Sequence, residues 1–340
     1  MTTGSRPVAA PTGIIRFNTD SHAPRERLEA FQVRINTMFD MVTPEGGELD
    51  FSGEIVSTHT GSMLISAMRT QHFDFSRTRR RILIDHLDHI MLRVDLDAPW
   101  SGGGRPVAIT LIDLGQPSET NSTPEHNISL VVPRRSVYEY DLLAEYLHGQ
   151  PLTSPSAMFL ADHITSLMRH ANGLGPELVA RLTDVTPGLI ASCLAPSRES
   201  FSRAQRETEL LIIERARTLI RENLYNSRLT PSFVQAHLGV SRATLYRLFE
   251  PFGGVASAIR QGRIRQALAD IHRMQPGDRL ADIGHALGFS SEAHFSRSFR
   301  AHYGCSPRDA RGLIGEVRGT ENTIARHDAE RLFPEWLQAL

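Results

Sequence analysis

The last third of the sequence contains a repeated pattern, and this repeat constrains the fold more than any other feature. A short apolar helix, PSFVQAH, is followed by the turn LGVS at 238–241 and by SRATLYRLFE, which again has helical character. The same arrangement returns as LADIGHA, the turn LGFS at 287–290 and SEAHFSRSFRAHY. A helix, a glycine-containing turn and a second helix make a helix-turn-helix motif. The chain is therefore predicted to contain two such motifs in tandem.

The two motifs differ slightly in spacing. Their turns lie 49 residues apart, whereas the patterns L-x-R-x-F at 245–249 and F-x-R-x-F at 295–299 lie 50 residues apart. The second motif therefore carries one extra residue after its turn. We expect Gly239 and Gly288 to make the sharp turns, because a positive φ is inexpensive only for glycine.

The helix that follows each turn is predicted to have a core face and an opposite, exposed face. The residues expected in the core are Leu245, Leu248, Phe249, Phe295 and Phe299. The exposed face carries groups that can reach base edges in a major groove. These candidates are Arg242, Ala243, Thr244, Tyr246 and Arg247 in the first motif, and Ser291, Glu292, Ala293, Ser296 and Arg297 in the second. Candidates for contact with the DNA backbone are Ser241, Arg263, Arg265, Ser290 and Arg300.

Glu292 has two interpretations. Its carboxylate can accept a hydrogen bond from a cytosine amino group, or it can offset the positive end of the helix dipole. We favour the second.

The distribution of charge supports a polyanionic partner. Residues 241–311 hold 11 Arg against 6 Asp and Glu, although the whole chain has a formal net charge of −1. A long arginine-studded helix, ASAIRQGRIRQALADIHRM, is predicted between the motifs and would hold their second helices in successive major grooves. The sequence contains no Lys, so every basic contact with a phosphate would use the planar guanidinium of Arg.

The region from about 207 to 312 resembles the DNA-binding domain of the AraC/XylS family of transcription regulators. The residues that carry this resemblance are GRIRQA at 262–267, DIGHALGFSSEAHFSRSFRAHYG at 282–304 and the closing pair Ser306-Pro307. The resemblance implies two helix-turn-helix subdomains bridged by a helix, with Arg247 and Arg297 facing DNA. It also implies a transcription activator whose partners are double-stranded promoter DNA and RNA polymerase.

The N-terminal half has a different pattern. Short apolar runs such as VAITLIDLG and ISLVVP are separated by turn clusters, which suggests a sandwich or small barrel, and a helical period begins near residue 154. DHIMLRV at 88–94, VVPRR at 131–135 and FLADHITSLMRHA at 159–171 resemble, more weakly, the cupin-like domain that precedes the DNA-binding domain in one branch of the family. That resemblance implies an unknown small-molecule effector or partner and a homodimer formed through this domain. The alternative is a regulator that needs no ligand, whose N-terminal half serves only for dimerisation or for contacts with other proteins.

We therefore expect an α+β multidomain fold, in which a β-rich cupin-like barrel with following helices precedes an all-α double helix-turn-helix domain. The expected divisions are a flexible arm at 1–27, a sensing and dimerisation domain at 28–195, a linker at 196–206, the DNA-binding domain at 207–312 and a C-terminal tail at 313–340. Within that tail Phe333, Trp336, Leu337 and Leu340 share one helical face. We expect this face to pack on the chain's own surface, with partner binding as the alternative.

A metal-dependent enzyme is the alternative from another functional class. Asp85, His86, Asp88 and His89 form the tightest cluster of potential ligands, but two histidines three apart on a strand point to opposite faces. No common nucleophile, P-loop or dinucleotide motif is present, so we predict no catalytic residues, no metal and no cofactor. The alternative would be a cupin-type metalloenzyme with a DNA-binding appendage. A shift of one residue in strand register would exchange the inward and outward faces, so the pattern assigns no ligand site.

The sequence also bears on where the chain resides. Its first residues lack the apolar core of a secretory signal, and no stretch approaches the roughly 18 to 20 apolar residues that cross a bilayer. We therefore expect a cytoplasmic protein with no membrane partner.

Overall fold

The computed structural model describes residues 13–42, 51–71, 73–120, 124–137, 147–171, 173, 176–194, 203–275, 277–324, 333, 336–337 and 340. The chain folds into two compact units. The β-rich unit comprises Met1–Ala195 together with Ala325–Leu340, and the helical unit comprises Pro196–Ile324. The C-terminal residues are therefore part of the same unit as the N-terminal ones.

The β-rich unit is built on two antiparallel sheets. Its described strands are β1 (Gly13–Asn18), β2 (Asp40–Val42), β3 (Glu54–His59), β4 (Leu64–Arg69), β5 (Asp74–Arg77), β6 (His89–Leu96), β7 (Pro106–Asp113), β8 (Ser118–Thr120), β9 (His126–Pro133) and β10 (Pro151–Leu152). The larger sheet has the order β1-β3-β4-β9-β6-β7-β10, and the smaller one has the order β2-β5-β8. Its described helices are α1 (Arg27–Ile35), α2 (Arg79–Asp85), α3 (Pro155–His170) and α4 (Pro176–Leu194).

The large sheet is buried on both faces. On β6, Leu92 and Val94 face an apolar cluster that includes Leu160 of α3 and Ile190 of α4. Met91 points the other way, because successive side chains of a strand alternate between faces, and joins a second cluster. That second cluster lies between the two sheets and α1, so the strands form a sandwich, one of the two arrangements that the short apolar runs predicted.

The second cluster also contains four residues from the end of the chain. Phe333, Trp336, Leu337 and Leu340 are each at most 4% exposed and pack with residues of both sheets. These four residues are called the C-terminal segment below. The sequence predicted that these residues pack against the chain itself and not against a partner. In the structure they do so, inside the core of the β-rich unit.

Three of the expected boundaries need correction. Residues 13–18, assigned to a flexible arm, form β1 and pair with β3, because Ile15 alternates into the core between exposed neighbours. Helix α5 begins at Arg203, inside the expected linker, since RAQRETELL contains neither Pro nor Gly to stop it. The helix that begins at Pro307 continues to Ile324, beyond residue 312, with Ala310 and Ile314 buried one turn apart.

The helical unit contains the repeated motifs. Its described helices are α5 (Arg203–Glu222), α6 (Pro231–Leu238), α7 (Arg242–Phe249), α8 (Val255–Arg273), α9 (Leu280–Ala286), α10 (Glu292–Tyr303) and α11 (Pro307–Ile324). Helix α8 is the expected connecting helix and packs against α5, α9, α10 and α11. Across the described part of the chain, no helix combines the length and the apolar character needed to cross a membrane.

Candidate nucleic-acid interface

The first helix-turn-helix motif consists of α6 and α7. Thr230 caps α6 by accepting a hydrogen bond from the Phe233 amide at 3.1 Å, and Pro231 occupies the first helical position. Gly239 ends the helix with a φ of 66°, as its position in the turn predicted. Ser241 then caps α7 by accepting from the Thr244 amide at 3.0 Å. The local sequence thus fixes both ends of the turn.

The second motif repeats this design with α9 and α10. Gly288 has a φ of 71°, and Ser291 caps α10 by accepting from the His294 amide at 3.1 Å. The glycine precedes the capping serine by three positions here but by two in the first motif, which confirms the extra residue. Gly284 allows close packing, since a Cβ there would lie 2.9 Å from the Phe295 ring.

The residues predicted to face the core of the two motifs are buried. The set is Leu245, Leu248, Phe249, Phe295 and Phe299. Phe295 contacts both Phe289 and Phe299 edge-on or tilted, so an aromatic core anchors the start of α10. Each second helix is therefore held with one face inward and the other outward.

The outward face of α7 is polar and basic. Arg242, Ala243, Tyr246 and Arg247 are exposed, and Thr244 is half-buried. The Arg242 guanidinium lies 5.1 Å from the centre of the Tyr246 ring, a cation–π arrangement. Together these side chains form a continuous surface along α7 on which a polyanion can be bound.

Arg247 is engaged by an acidic partner. Its guanidinium donates a hydrogen bond of 2.6 Å to the Glu209 carboxylate on α5. The spacing of the motifs gave no signal for Glu209, because it lies outside both of them. The structure thus adds to the candidate interface a residue that the sequence analysis missed.

The outward face of α10 is arranged similarly. Ser291, Glu292, Ala293 and Arg297 are exposed, and Ser296 is half-buried. Glu292 lies in the first turn of α10, where a carboxylate offsets the partial positive charge of the helix start. Arg297 lies five residues further along and is also exposed, so α10 offers both an acidic and a basic group to solvent.

Three of the five candidates for contact with the DNA backbone are exposed, namely Ser241, Ser290 and Arg300, and the other two, Arg263 and Arg265, are half-buried.

The assignment of Arg263 to a phosphate needs correction. Its guanidinium donates to the carbonyl oxygens of Leu224, Asn226 and Gly288, at 3.3, 3.0 and 3.4 Å. These bonds occupy each nitrogen of the guanidinium. Arg263 therefore joins α8 to the loop after α5 and to the turn of the second motif, and its guanidinium is engaged within the protein. The sequence could not reveal this, because helical spacing alone does not say which arginine points inward.

In the cluster of Asp85, His86, Asp88 and His89, the two carboxylates pair with arginines. The buried Arg77 guanidinium donates two 2.7 Å hydrogen bonds to Asp85, and Arg134 pairs with Asp88 at 2.6 Å. Burial lowers the pKa of His89 to about 4. Among the residues that the structure describes, no three His, Cys, Asp or Glu side chains come together as metal ligands. The carboxylates instead pair with the buried guanidinium groups of Arg77 and Arg134.

The interior of the sandwich contains a cavity of about 70 Å³. Most of its wall is apolar, and a few polar side chains interrupt it. The lining residues include Met38, Phe39, Met68, Phe75, Met91 and Phe333 among the apolar ones, and Arg34, Ser66, Arg93, Asn127 and Ser129 among the polar ones. Apolar cavities with a few convergent polar groups are the usual form of small-molecule sites.

One comparison with known families matches part of the helical unit. Residues 234–312 match a family model described as a helix-turn-helix domain. The chain is 30% identical over 128 residues to the transcriptional activator NphR from Rhodococcus, covering 37% of this chain and 34% of that protein. It is 35% identical over 98 residues to the HTH-type transcriptional regulator ArgR from Pseudomonas aeruginosa, covering 27% and 28%. The chain thus spans about a third of the length of the curated relatives it matches.

Among solved structures, the AraC-like transcriptional activator CuxR aligns over 76% of this chain and 96% of its own, with 23% identity and a TM-score of 0.49.

Proposed function

We propose that the protein is a sequence-specific DNA-binding transcription regulator of the AraC type, and specifically an activator, since residues 234–312 match a helix-turn-helix family model. The observation that carries the proposal is the pair of helices α7 and α10. Each is anchored on a buried core and presents an exposed face with an arginine, Arg247 or Arg297. One chain would thereby read two major grooves.

The proposed contacts divide into two classes. Base edges are read from α7 by Arg242, Ala243, Thr244, Tyr246 and Arg247, and from α10 by Ser291, Glu292, Ala293, Ser296 and Arg297. Phosphates are held by Ser241, Arg265, Ser290 and Arg300. An arginine can donate two hydrogen bonds to the O6 and N7 atoms of guanine, which supports the assignment of Arg247 and Arg297 to bases. Phosphate contacts position the protein, whereas base contacts give sequence preference.

The β-rich unit is proposed to control this activity. Its cupin-like sandwich would bind a small-molecule effector in the cavity, and the response would require the effector to bind one arrangement of the protein better than another. A homodimer through this unit is supported by exposed apolar side chains on the two helices that cover the sheet. Phe159 on α3 is 60% exposed and Val185 on α4 is 54% exposed.

A role as a transcription activator implies one further partner and a location in the cell. An activator bound at a promoter contacts RNA polymerase, and both act in the cytoplasm, where we place this protein. No catalytic step and no cofactor form part of the proposal.

The test is recovery of genomic DNA fragments by the purified full-length protein at several salt concentrations. Specific binding must exceed the electrostatic background, which falls steeply as salt rises. We expect a shared motif with two half-sites about one helical turn apart. Binding that is sensitive to salt but indifferent to sequence would contradict the proposal.

A further inference from the structure

The C-terminal segment is part of the core of the β-rich unit. Along the sequence, the whole helical unit lies between this segment and the rest of the β-rich unit. The chain leaves the β-rich unit at Ala195, forms Pro196–Ile324 and returns at Ala325. Burial of the segment's four large apolar side chains is nearly complete. The helical unit is therefore joined to the β-rich unit at both of its ends. The first junction is the peptide chain at Ala195–Pro196, and the second, after Ile324, holds only while the C-terminal segment stays docked.

Specific contacts fix the segment in place. The Trp336 indole lies 5.5 Å from the His59 ring, between centroids, and a Cβ on Gly13 would lie 3.2 Å from Cζ2 of this indole. Arg135 donates a hydrogen bond to the backbone oxygen of Leu340. The segment thus contacts β1, β3 and the chain that follows β9, which are distant from one another in sequence.

Phe333 connects the segment to the cavity. Its ring lies 4.8 Å from the guanidinium carbon of Arg34, and both residues line the cavity. A ligand that fills the cavity would contact this ring directly. If the segment were to undock, the cavity would lose part of its wall.

Another part of the cavity wall is polar, where three neighbouring strands lie side by side. Ser129 on β9 is in register with Ser66 on β4 and with Arg93 on β6, so the three side chains form a row on the interior face of the large sheet. The Ser66 hydroxyl lies 2.8 Å from that of Ser57, and the Arg93 guanidinium donates to the Asp95 carboxylate at 2.8 Å. A guanidinium has five N–H donors, so Arg93 can donate further, together with the Ser129 hydroxyl, to an oxygen acceptor, and the rest of the cavity accepts an apolar body.

We propose that the C-terminal segment is a wall of a ligand-binding cavity, and that this cavity takes a small, mostly apolar molecule whose oxygen acceptor faces Arg93 and Ser129. The proposal rests on the proposed function in treating that molecule as the effector. A molecule that contacts Phe333 binds the docked state better than the undocked state, so its binding stabilises docking. Ligand binding therefore raises the fraction of molecules in which the helical unit is joined to the β-rich unit at both of its ends.

The experiment combines hydrogen–deuterium exchange of the full-length protein with binding of 8-anilinonaphthalene-1-sulfonate, an apolar probe with one anionic oxygen-bearing group. Exchange is followed in the peptide that contains the C-terminal segment. We expect slow exchange in the unliganded protein and one high-affinity probe per chain. We also expect the probe to slow exchange further by roughly fivefold.

Three variants locate the site. Phe333→Ala removes the shared wall, so exchange of the segment should rise about tenfold and probe affinity should fall. Ser129→Leu fills the polar side of the cavity, so probe affinity should fall about tenfold while the segment stays protected. Val107→Ala changes an exposed apolar side chain of the same sheet and should alter neither quantity.

Three results would overturn the proposal. The first is exchange of the segment that is as fast in the wild type as in Phe333→Ala. The second is equal probe affinity in the wild type and Ser129→Leu. The third is a bound probe that leaves exchange of the segment unchanged. None of these measurements uses DNA, so a failure here is distinct from a failure to recover a shared DNA motif.

Discussion

The Arg247 guanidinium lies 2.6 Å from the Glu209 carboxylate, so the arginine that we propose for base contact is held by an anion on α5. We expect this ion pair to compete with the binding of a base. Glu209→Gln should therefore raise affinity for promoter DNA, by about twofold to fivefold, because an exposed ion pair contributes at most about 1 kcal/mol. Fluorescence anisotropy titrations of one promoter fragment at fixed salt measure the change.

The matched control is Glu222→Gln, which removes the same charge from the same helix. If that variant gained as much affinity as Glu209→Gln, the effect would be one of total charge and the ion pair with Arg247 would be irrelevant.

Arg247→Ala and Arg297→Ala should each weaken binding to the promoter by about 1 to 3 kcal/mol and relax the preference at one base position. Both arginines are exposed on helices whose starts are capped, and we propose that they contact base edges. Selection of bound sequences from a randomised pool shows the loss of preference directly. Arg228→Ala, an exposed arginine outside both motifs, should lower affinity less and leave the preference intact. Unchanged preference in both motif variants would remove these residues from the interface.

Gly288→Ala should destabilise the protein more than Gly239→Ala does. Both glycines have φ near 70°, which costs an alanine about 1 to 2 kcal/mol. A Cβ at Gly239 would meet no atom within 4 Å, whereas one at Gly288 would lie 2.9 Å from the Arg263 guanidinium. We expect Gly288→Ala to cost at least about 1 kcal/mol more, measured as the free energy of unfolding in urea. Equal losses would mean that Arg263 shifts at no cost.

The protein should lose stability as the pH falls from about 6.5 toward 4. Burial lowers the pKa of His89 to about 4, with Arg134, Arg135 and His86 acting in the same direction and Asp88 opposing them. In this range the unfolded chain binds a proton at His89 and the folded chain does not, so the folded state is favoured at higher pH. The loss at the acid end is about 3 kcal/mol.

Urea unfolding at a series of pH values tests this expectation. His89→Gln removes the titrating group, so the slope of unfolding free energy against pH between 6.5 and 4.5 should decrease. A slope identical to that of the wild type would assign the acid sensitivity to other groups, among them His59 and His163, whose pKa values burial also lowers.

The tandem motifs could be predicted from the sequence because each of their features is local. A capping serine, a turn glycine and apolar residues three or four positions apart all lie within about one motif length. The same reasoning failed for Arg263, whose partners are 25 to 39 residues away along the chain. Spacing identifies a helical face but not the carbonyl oxygens that approach it.

The β-rich unit was harder to predict because the residues that it brings together are far apart in sequence. Strand β1 lies in a stretch whose prolines and glycines suggested a flexible arm, yet pairing with β3 makes it an edge of the sheet. The cavity depends on the register of β4, β6 and β9 and on Phe333, about 200 residues further along. A shift of one residue in any strand would exchange the inward and outward faces, so no local pattern could assign the wall.

The return of the chain to the β-rich unit also affects the order of events during synthesis. Residues emerge from the ribosome from the amino terminus onward, and domains generally fold as they appear. The helical unit is complete before Trp336 and its neighbours exist, so the unit translated first is the last to finish its core. A newly made molecule therefore completes its tandem motifs before the β-rich unit completes its core.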